Sequence, residues 1–389
     1  MRRRTFLRLG AAGLVGGLAS PVIAAEPLWV DTRETNVFES FGDEILTVGS
    51  SLRTIDPTSG TERRSARLRR PSGAEGPARL IASPLIAFGW YVWYEGVDIV
   101  CVNPQSFQIR WQRRVRITEE EREGGVPMVF PLVRPDGFFV LIAHKHSENV
   151  FRLHPQNGET VWSRYVERFA VEAPLAWHNN RLLVRSRVTR GAQAFGDLHA
   201  IDPVTGASVW RIPLEGHDDG GNDTMLIAGD RAYVAAPVYP GESCRLHIVD
   251  LVAGALIKSL TIDRLSNPFA YNDGIVYFGG NTPTAWDATR EAIVWRMDLR
   301  SRDGRVVYIA GAPVLDTRRR RIYLGETRDS FFVLSSADGT VLNRVDVRRG
   351  RTSGNIMTLY GAFRLRLIRD LLLVGTGDHH VIAFSTASL

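Results

Sequence analysis

Hydrophobic and polar residues alternate along this chain at a period of two in short runs, and no stretch sustains a helical period. Arg231-Ala232-Tyr233-Val234 and Arg321-Ile322-Tyr323-Leu324 are clear instances, each bounded by turn-forming residues. The pattern predicts an all-β chain of many short, half-buried strands.

One phrase recurs between the strands: an apolar residue, a polar residue, often Pro, two further residues and Gly. It reads Ile55-Asp56-Pro57-Thr58-Ser59-Gly60, Leu153-His154-Pro155-Gln156-Asn157-Gly158, Ile201-Asp202-Pro203-Val204-Thr205-Gly206, Val249-Asp250-Leu251-Val252-Ala253-Gly254 and Leu334-Ser335-Ser336-Ala337-Asp338-Gly339. Degenerate copies are Val102-Asn103-Pro104-Gln105-Ser106-Phe107, Trp286-Asp287-Ala288-Thr289-Arg290-Glu291 and the terminal Phe384-Ser385-Thr386. The polar positions 56, 103, 154, 202, 250, 287, 335 and 385 lie 37 to 51 residues apart, about the chain needed for one propeller blade. The phrase suits a hairpin turn: Asp bonds local backbone, Pro fixes φ, and Gly takes a left-handed conformation.

Eight residues after the polar position comes Trp111, Trp162, Trp210 or Trp295 in four copies, a register that fits an aromatic wedge between neighbouring sheets. Several copies open with Pro and an apolar residue, as Pro84-Leu85, Pro131-Leu132, Pro174-Leu175, Pro268-Phe269 and Pro313-Val314. Each blade is then four antiparallel strands, A to D from the centre outward, and the phrase is the C–D turn. The last copy stops after its third strand, and Leu28-Trp29-Val30-Asp31 is free to supply the fourth. The expectation is an eight-bladed β-propeller of four-stranded antiparallel blades, all-β, closed by the N-terminal strand.

The Asp/Pro/Gly turn with its following Trp resembles the repeat of PQQ-type propellers over residues 28 to 389. That superfamily includes quinoprotein alcohol dehydrogenases and the non-enzymatic propeller subunit of the outer-membrane barrel-assembly machinery. The resemblance implies either a protein-binding platform or a redox enzyme. Quinoprotein dehydrogenases use adjacent cysteines, a calcium held by Glu and Asn, and an Asp base; this chain has no vicinal cysteine pair. It also has no Gly-x-Ser-x-Gly elbow, no His-Glu-x-x-His and no phosphate-cradling Gly loop with Lys.

The first residues change the charge picture. Arg2, Arg3, Arg4 and Arg8 precede an apolar Gly/Ala-rich run and Ser20-Pro21-Val22-Ile23-Ala24-Ala25, the layout of a signal peptide. Arg3-Arg4-Thr5-Phe6-Leu7-Arg8 resembles the twin-arginine export motif, with cleavage after Ala24 or Ala25. Residues 1–25 are read as a twin-arginine signal peptide and 26–389 as one propeller. The net charge of +6 loses four arginines with that segment, so the mature chain carries no broad cationic footprint and no nucleic-acid partner is expected. Arg318-Arg319-Arg320-Arg321 and Arg348-Arg349-Gly350-Arg351 read as solvated hairpin tips. No cysteine follows the apolar run, so no membrane anchor is expected after cleavage, and the register puts Cys101 and Cys244 on separate blades, too far apart to pair.

Function is sought on the face formed by the B–C and D–A connections, where the segments are irregular. Candidate binding residues there are His144, His146, Glu326, Arg328, Asp329, His379 and His380. The two His pairs belong to non-adjacent blades with no metal-ligand spacing between them, and His217 to Asp223 does not follow the calcium-loop order. Neither a catalytic residue nor a cofactor is expected, with PQQ or a metal ion as the alternative. The expectation is a periplasmic or secreted, monomeric scaffold that binds an envelope protein; the alternatives are a quinoprotein-like oxidoreductase or a carbohydrate- or ligand-binding propeller using Trp90, Trp93 or Trp177.

Overall fold

The protein is described from a computed structural model, which covers residues 25–33, 35, 37–49, 51–67, 74–81, 86–92, 96–116, 128–134, 137–144, 147–167, 175–190, 193–214, 225–237, 243–263, 268–299, 309, 312–326, 330–347, 364–376 and 380–389. Residues 1–24, all but the last residue of the expected signal peptide 1–25, lie outside the described residues. So do Pro84-Leu85 and Pro174; Pro131, expected to open a strand, lies within one (Met128–Arg134), paired with Val140.

The described strands form eight four-stranded antiparallel sheets. Seven are blades of four consecutive strands, spanning residues 37–67, 74–116, 128–167, 176–214, 225–263, 268–296 and 314–346, numbered blades 1 to 7 below. The remaining sheet is a composite: Arg364–Ile368, Leu371–Gly375 and Val381–Ser385 come from the C-terminus, and Trp29–Asp31 adds the outer strand from the N-terminus. The eight-bladed description is accordingly corrected to seven blades contiguous in sequence plus one composite closing sheet. The physical reason is that Val381–Ser385 pairs along its outer edge with Trp29–Asp31, so the four strands of that sheet are not consecutive in the chain. Trp29, Val30 and Asp31 pair with Ala383, Ile382 and Val381.

The core is distributed rather than central. Eight buried apolar clusters each bridge two adjacent sheets, from Leu46, Val48, Leu52 with Ile86, Val100 and Val102 between blades 1 and 2, to Phe38, Ile45 and Ile55 with Leu373, Val381 and Ala383 between blade 1 and the closing sheet. The series returns to its start, so among the described residues each sheet packs on both of its neighbours. First strands of successive sheets touch, which puts strand A innermost and strand D on the rim.

The turn phrase explains the junctions. In blade 1 Asp56 Oδ1 accepts from the backbone N–H of Thr58 and Ser59, and Gly60 N–H donates to Asp56 O at 2.9 Å with φ at 71°. Trp29, on the outer strand of the closing sheet, lies against Gly60, where a Cβ would fall 2.6 Å from its Cγ, and its indole N–H donates to Pro57 O at 2.9 Å. Trp111 on Gly158, Trp162 on Gly206 and Trp295 on Gly339 repeat that contact, donating to Pro155 O, Pro203 O and Ser336 O. Trp210 lies on Gly254 with its indole N–H buried and without a hydrogen-bond partner, and the Leu251 carbonyl accepts from Arg181 at 3.3 Å.

Three junctions exchange both partners. Where the tryptophan position holds Arg64, the glycine position holds Phe107; where it holds Lys258, the glycine position holds Glu291, and the two form an ion pair. Asn343 takes the position in blade 7 and donates to the Leu389 carbonyl at 3.4 Å. Phe107 and Glu291 keep the left-handed backbone of the glycine they replace, with φ at 58° and 53°.

Candidate functional site

Side chains near the loop-face ends of the strands were built into a repeated device. In blade 2, Asp98 on strand C is 2% exposed and is gripped by Arg114 of strand D, Nε to Oδ1 at 2.7 Å and Nη2 to Oδ2 at 2.9 Å. In blade 4, Asp197 on strand C accepts from Arg211 Nε at 2.6 Å. In blade 7, Glu326 closes strand B and is held by Ser330 and by Arg344 of strand D. Each carboxylate is buried and ion-paired to a guanidinium; at Asp98 burial still pushes the carboxyl above its ordinary value, against the lowering hydrogen bond from Gln112. These clamps fasten the outer strand at its loop-face end.

Sequence reasoning missed the clamps, although a signal was present: Asp98 and Asp197 both lie five residues before the polar turn position, and the arginines follow it by nine or eleven. It also missed a charged network at the closing seam. Arg53, 2% exposed on strand C of blade 1, donates to Asp31 Oδ2 and to Thr35 Oγ1, each at 2.7 Å, while Arg33 Nε reaches Asp31 Oδ1 at 2.8 Å. Burial raises the Asp31 carboxyl pKa, but the hydrogen bond from Arg33 and the charge of Arg53 outweigh it and leave it below its ordinary value.

Of the predicted site residues, Glu326 is thus committed to an ion pair inside its own blade. His380 closes the hairpin of the closing sheet through its backbone, its N–H donating to Thr376 Oγ1 and its carbonyl accepting from Thr376 N–H. The backbone of His144 pairs with Ser147 at the end of strand B in blade 3, and its side chain lies outside the described residues. His146, Arg328, Asp329 and His379 lie outside them altogether. Glu326 and His380 belong to two neighbouring sheets, blade 7 and the closing sheet.

Two buried histidines sit three residues before the polar turn position, in blades 4 and 5. His199 is pushed down to about 4, first by burial and then by the charges of Arg211 and Arg164. His247 Nδ1 lies 2.9 Å from Ser259 Oγ. Trp177 packs tilted against Phe139 with Arg134 above it, a core arrangement rather than an open platform. Cys101 and Cys244 are buried thiols on blades 2 and 5, and burial pushes the Cys101 thiol up to about 11.

Fold and repeat together define a β-propeller of the PQQ-like class. The sequence matches the family described as outer membrane protein assembly factor BamB over residues 146–388, and the chain belongs to that family. No curated protein matches it. Among solved structures it is similar to BamB from Moraxella catarrhalis, with a TM-score of 0.63 and 14% identity over 93% of this chain and 100% of that one. It is similar as well to the quinohemoprotein alcohol dehydrogenase from Comamonas testosteroni, with a TM-score of 0.64 and 11% identity over 92% and 76% of the two chains. A third is Saccharomyces cerevisiae Sqt1, with a TM-score of 0.62 and 10% identity over 93% and 99%. At such identities these likenesses speak of fold alone.

The second of these raises the question of a quinone cofactor. The donor set that the resemblance implies is not met: the two cysteines are on separate blades, and among the described residues no group of three His, Cys, Asp or Glu gathers that could hold a metal ion. No step is therefore derived through PQQ. Among the described residues no helix is long and apolar enough to cross a membrane.

Proposed function

We propose that the chain is an exported, non-catalytic propeller of the cell envelope that acts as a protein-binding scaffold, with residues 1–25 as a twin-arginine signal peptide and 26–389 as a single monomeric domain. The observation that carries this reading is membership of the assembly-factor family across residues 146–388. Support comes from the use made of the described charged side chains: the buried carboxylates of the loop-face edge are committed to arginines and leave no free acid–base pair among them. Large exposed apolar residues concentrate on the outer strands, among them Val161, Tyr165, Val209, Ile257 and Val294, which gives the rim apolar contact area for a partner.

The test is a pull-down from a periplasmic extract with the mature protein, together with its absorption spectrum and metal content with and without added PQQ. A reproducible envelope partner and no quinone band is the expected result. A stoichiometric metal or a bound quinone would overturn the scaffold reading in favour of an oxidoreductase.

A further inference from the structure

One blade carries the arginine of a clamp without its carboxylate. Arginine follows the polar turn position by nine residues in three blades, as Arg211 in blade 4, Arg296 in blade 6 and Arg344 in blade 7. Arg211 holds Asp197 through Nε and Nη2, and Arg344 holds Glu326. Arg114 of blade 2 grips Asp98 through the same two nitrogens as Arg211. In Arg296 those two nitrogens, Nε and Nη2, are buried and have no hydrogen-bond partner.

The difference is one of sequence, because the ladder around Arg296 keeps its register. Arg296 pairs with Thr284 as Arg211 pairs with His199. Beyond them Met297 N–H donates to Pro283 O at 3.0 Å and Leu299 N–H to Asn281 O at 3.3 Å, where blade 4 pairs Ile212 with Leu198 and Leu214 with Gly196. Thr282 therefore stands where blade 4 has Asp197. The other source of a carboxylate, Glu326 opposite Ser330 in blade 7, corresponds to Gly280, counted on from Phe278 opposite Thr284. Nearby polar groups are committed: Asn281 Oδ1 accepts from Ile309 N–H at 3.2 Å, Thr284 Oγ1 donates to Thr282 O at 2.9 Å, and Asp298 is engaged elsewhere.

Where the carboxylate stands in the other blades, blade 6 is also more open to solvent. Asp98 and Asp197 are 2% and 3% exposed, whereas Thr282 and Arg296 are both part-exposed. Threonine carries no charge and offers no two-pronged acceptor. A guanidinium with two desolvated N–H groups is thus left uncompensated beside an accessible position, a costly state that an incoming anion relieves.

We propose that Arg296 is the anchor of a docking site for an acidic side chain, an aspartate or glutamate of a partner protein, which enters beside Thr282 and completes from outside the clamp that blades 2, 4 and 7 complete from within. It rests on the scaffold reading and gives the partner's chemistry. Charge complementarity selects the occupant: a guanidinium takes a carboxylate in two parallel N–H···O bonds, and a neutral amide does not replace it. The carboxylate meets the outer side of the guanidinium first, and rotation of the arginine side chain turns Nε and Nη2 onto it.

The test uses the purified mature protein, isotopically labelled at the arginine nitrogens and titrated with N-acetyl-glutamate N-methylamide at constant ionic strength, with Arg296→Lys to assign the Arg296 Nε–H signal. The expected result is a saturable shift of that signal, no shift of the Arg211 signal, and no response to the glutamine analogue. Thr282→Asp, which supplies the carboxylate of blade 4 from within, should weaken the response by about tenfold or more; Thr282→Asn, which adds no charge, should preserve it to within about twofold. Absence of any Arg296 shift, an equal response to the glutamine analogue, an undiminished response in folded Thr282→Asp, or an equal loss in the Asn variant would overturn the proposal. Should Thr282→Asp fail to fold, the parent titrated with the two analogues still decides. The pull-down separates the two readings. A partner recovered equally by the parent and by Thr282→Asp would remove the site and leave the scaffold, whereas a parent that recovers no partner would remove the scaffold while the titration still reports on the site.

Discussion

Arg64 lies over the ring of Phe107, its guanidinium carbon 4.7 Å from the ring centre, at the junction of blades 1 and 2. In five other junctions that place belongs to a tryptophan resting on a glycine. The exchange conserves both functions of the wedge, because Arg64 Nη1 also donates to Pro104 O at 3.2 Å, as the indole N–H does to the corresponding carbonyl in other turns. At this junction Arg64 with Phe107 supplies a ring contact and one hydrogen bond, the same two interactions that Trp111 with Gly158 supplies at the next.

The pair should therefore behave as a unit. Arg64→Trp alone puts a large ring against Phe107 and should cost about 1–3 kcal/mol. Phe107→Gly alone empties a position buried with Leu46, Val48 and Leu52, and should cost about 2–4 kcal/mol after relief of its left-handed backbone. The double variant recreates the pairing of the other junctions and should recover at least about 1 kcal/mol of the summed loss. Urea unfolding of the four proteins measures the coupling; strict additivity would show that the two positions are independent.

Closure depends on three N-terminal residues, and Trp29 is the wedge of the closing sheet. Removing residues 26–35 should markedly lower the melting temperature. Trp29→Ala in the full chain should cost about 3 kcal/mol, since it removes both the ring contact at Gly60 and the bond to Pro57 O. Gly60→Ala should also destabilise, because its φ of 71° disfavours any side chain and a Cβ would meet Trp29. Thermal unfolding followed by circular dichroism checks all three, and a melting temperature unmoved by the deletion would mean that the strand does not close the ring.

Sequence pattern made the strands, the C–D turns and the closing role of residues 28–31 legible, because period-2 alternation and turn chemistry are local properties. The tryptophan register was legible in four copies, but Trp29 was not recognised as a fifth wedge, since its repeat begins at the opposite end of the chain. Junctions such as Lys258 with Glu291 were illegible for a different reason: they look like degenerate repeats until both partners are seen to have changed together. The candidate site was the least legible part. Glu326 and His380 read from the sequence as loop-face binding candidates, yet one is buried in an ion pair and the other closes a hairpin with its backbone, because a clamp joins residues of two strands that lie well apart in the chain.

The buried Arg53–Asp31 pair joins the closing strand to blade 1 and should make closure acid-sensitive. A carboxyl whose folded value lies below its unfolded one contributes stability that is present above about pH 4 and is lost as the pH falls through the folded value. Asp31→Asn leaves Arg53 buried without its counter-charge and should cost about 3–5 kcal/mol at neutral pH. Below pH 4 the variant and the parent should converge, as the parent's carboxylate becomes protonated. Melting curves between pH 3 and 7 read the convergence directly, and a constant gap across that range would remove the pair from the account.

His199 sets a second pH dependence at a higher window. Its folded value of about 4 lies below the ordinary 6.5, so between these limits the unfolded chain binds a proton that the folded chain refuses. Unfolding is then favoured as the pH falls from 6.5 toward 4, and the stability lost across the window is about 3 kcal/mol. The cause is positional: His199 is 4% exposed on strand C, with the cations Arg211 and Arg164 near it, so a charged imidazole would lose solvation and face like charge together. His199→Gln keeps a polar side chain without the titration, and its unfolding free energy should change less than the parent's between pH 6.5 and 4. A parent and variant with parallel pH profiles in that window would show that His199 is not the group that titrates.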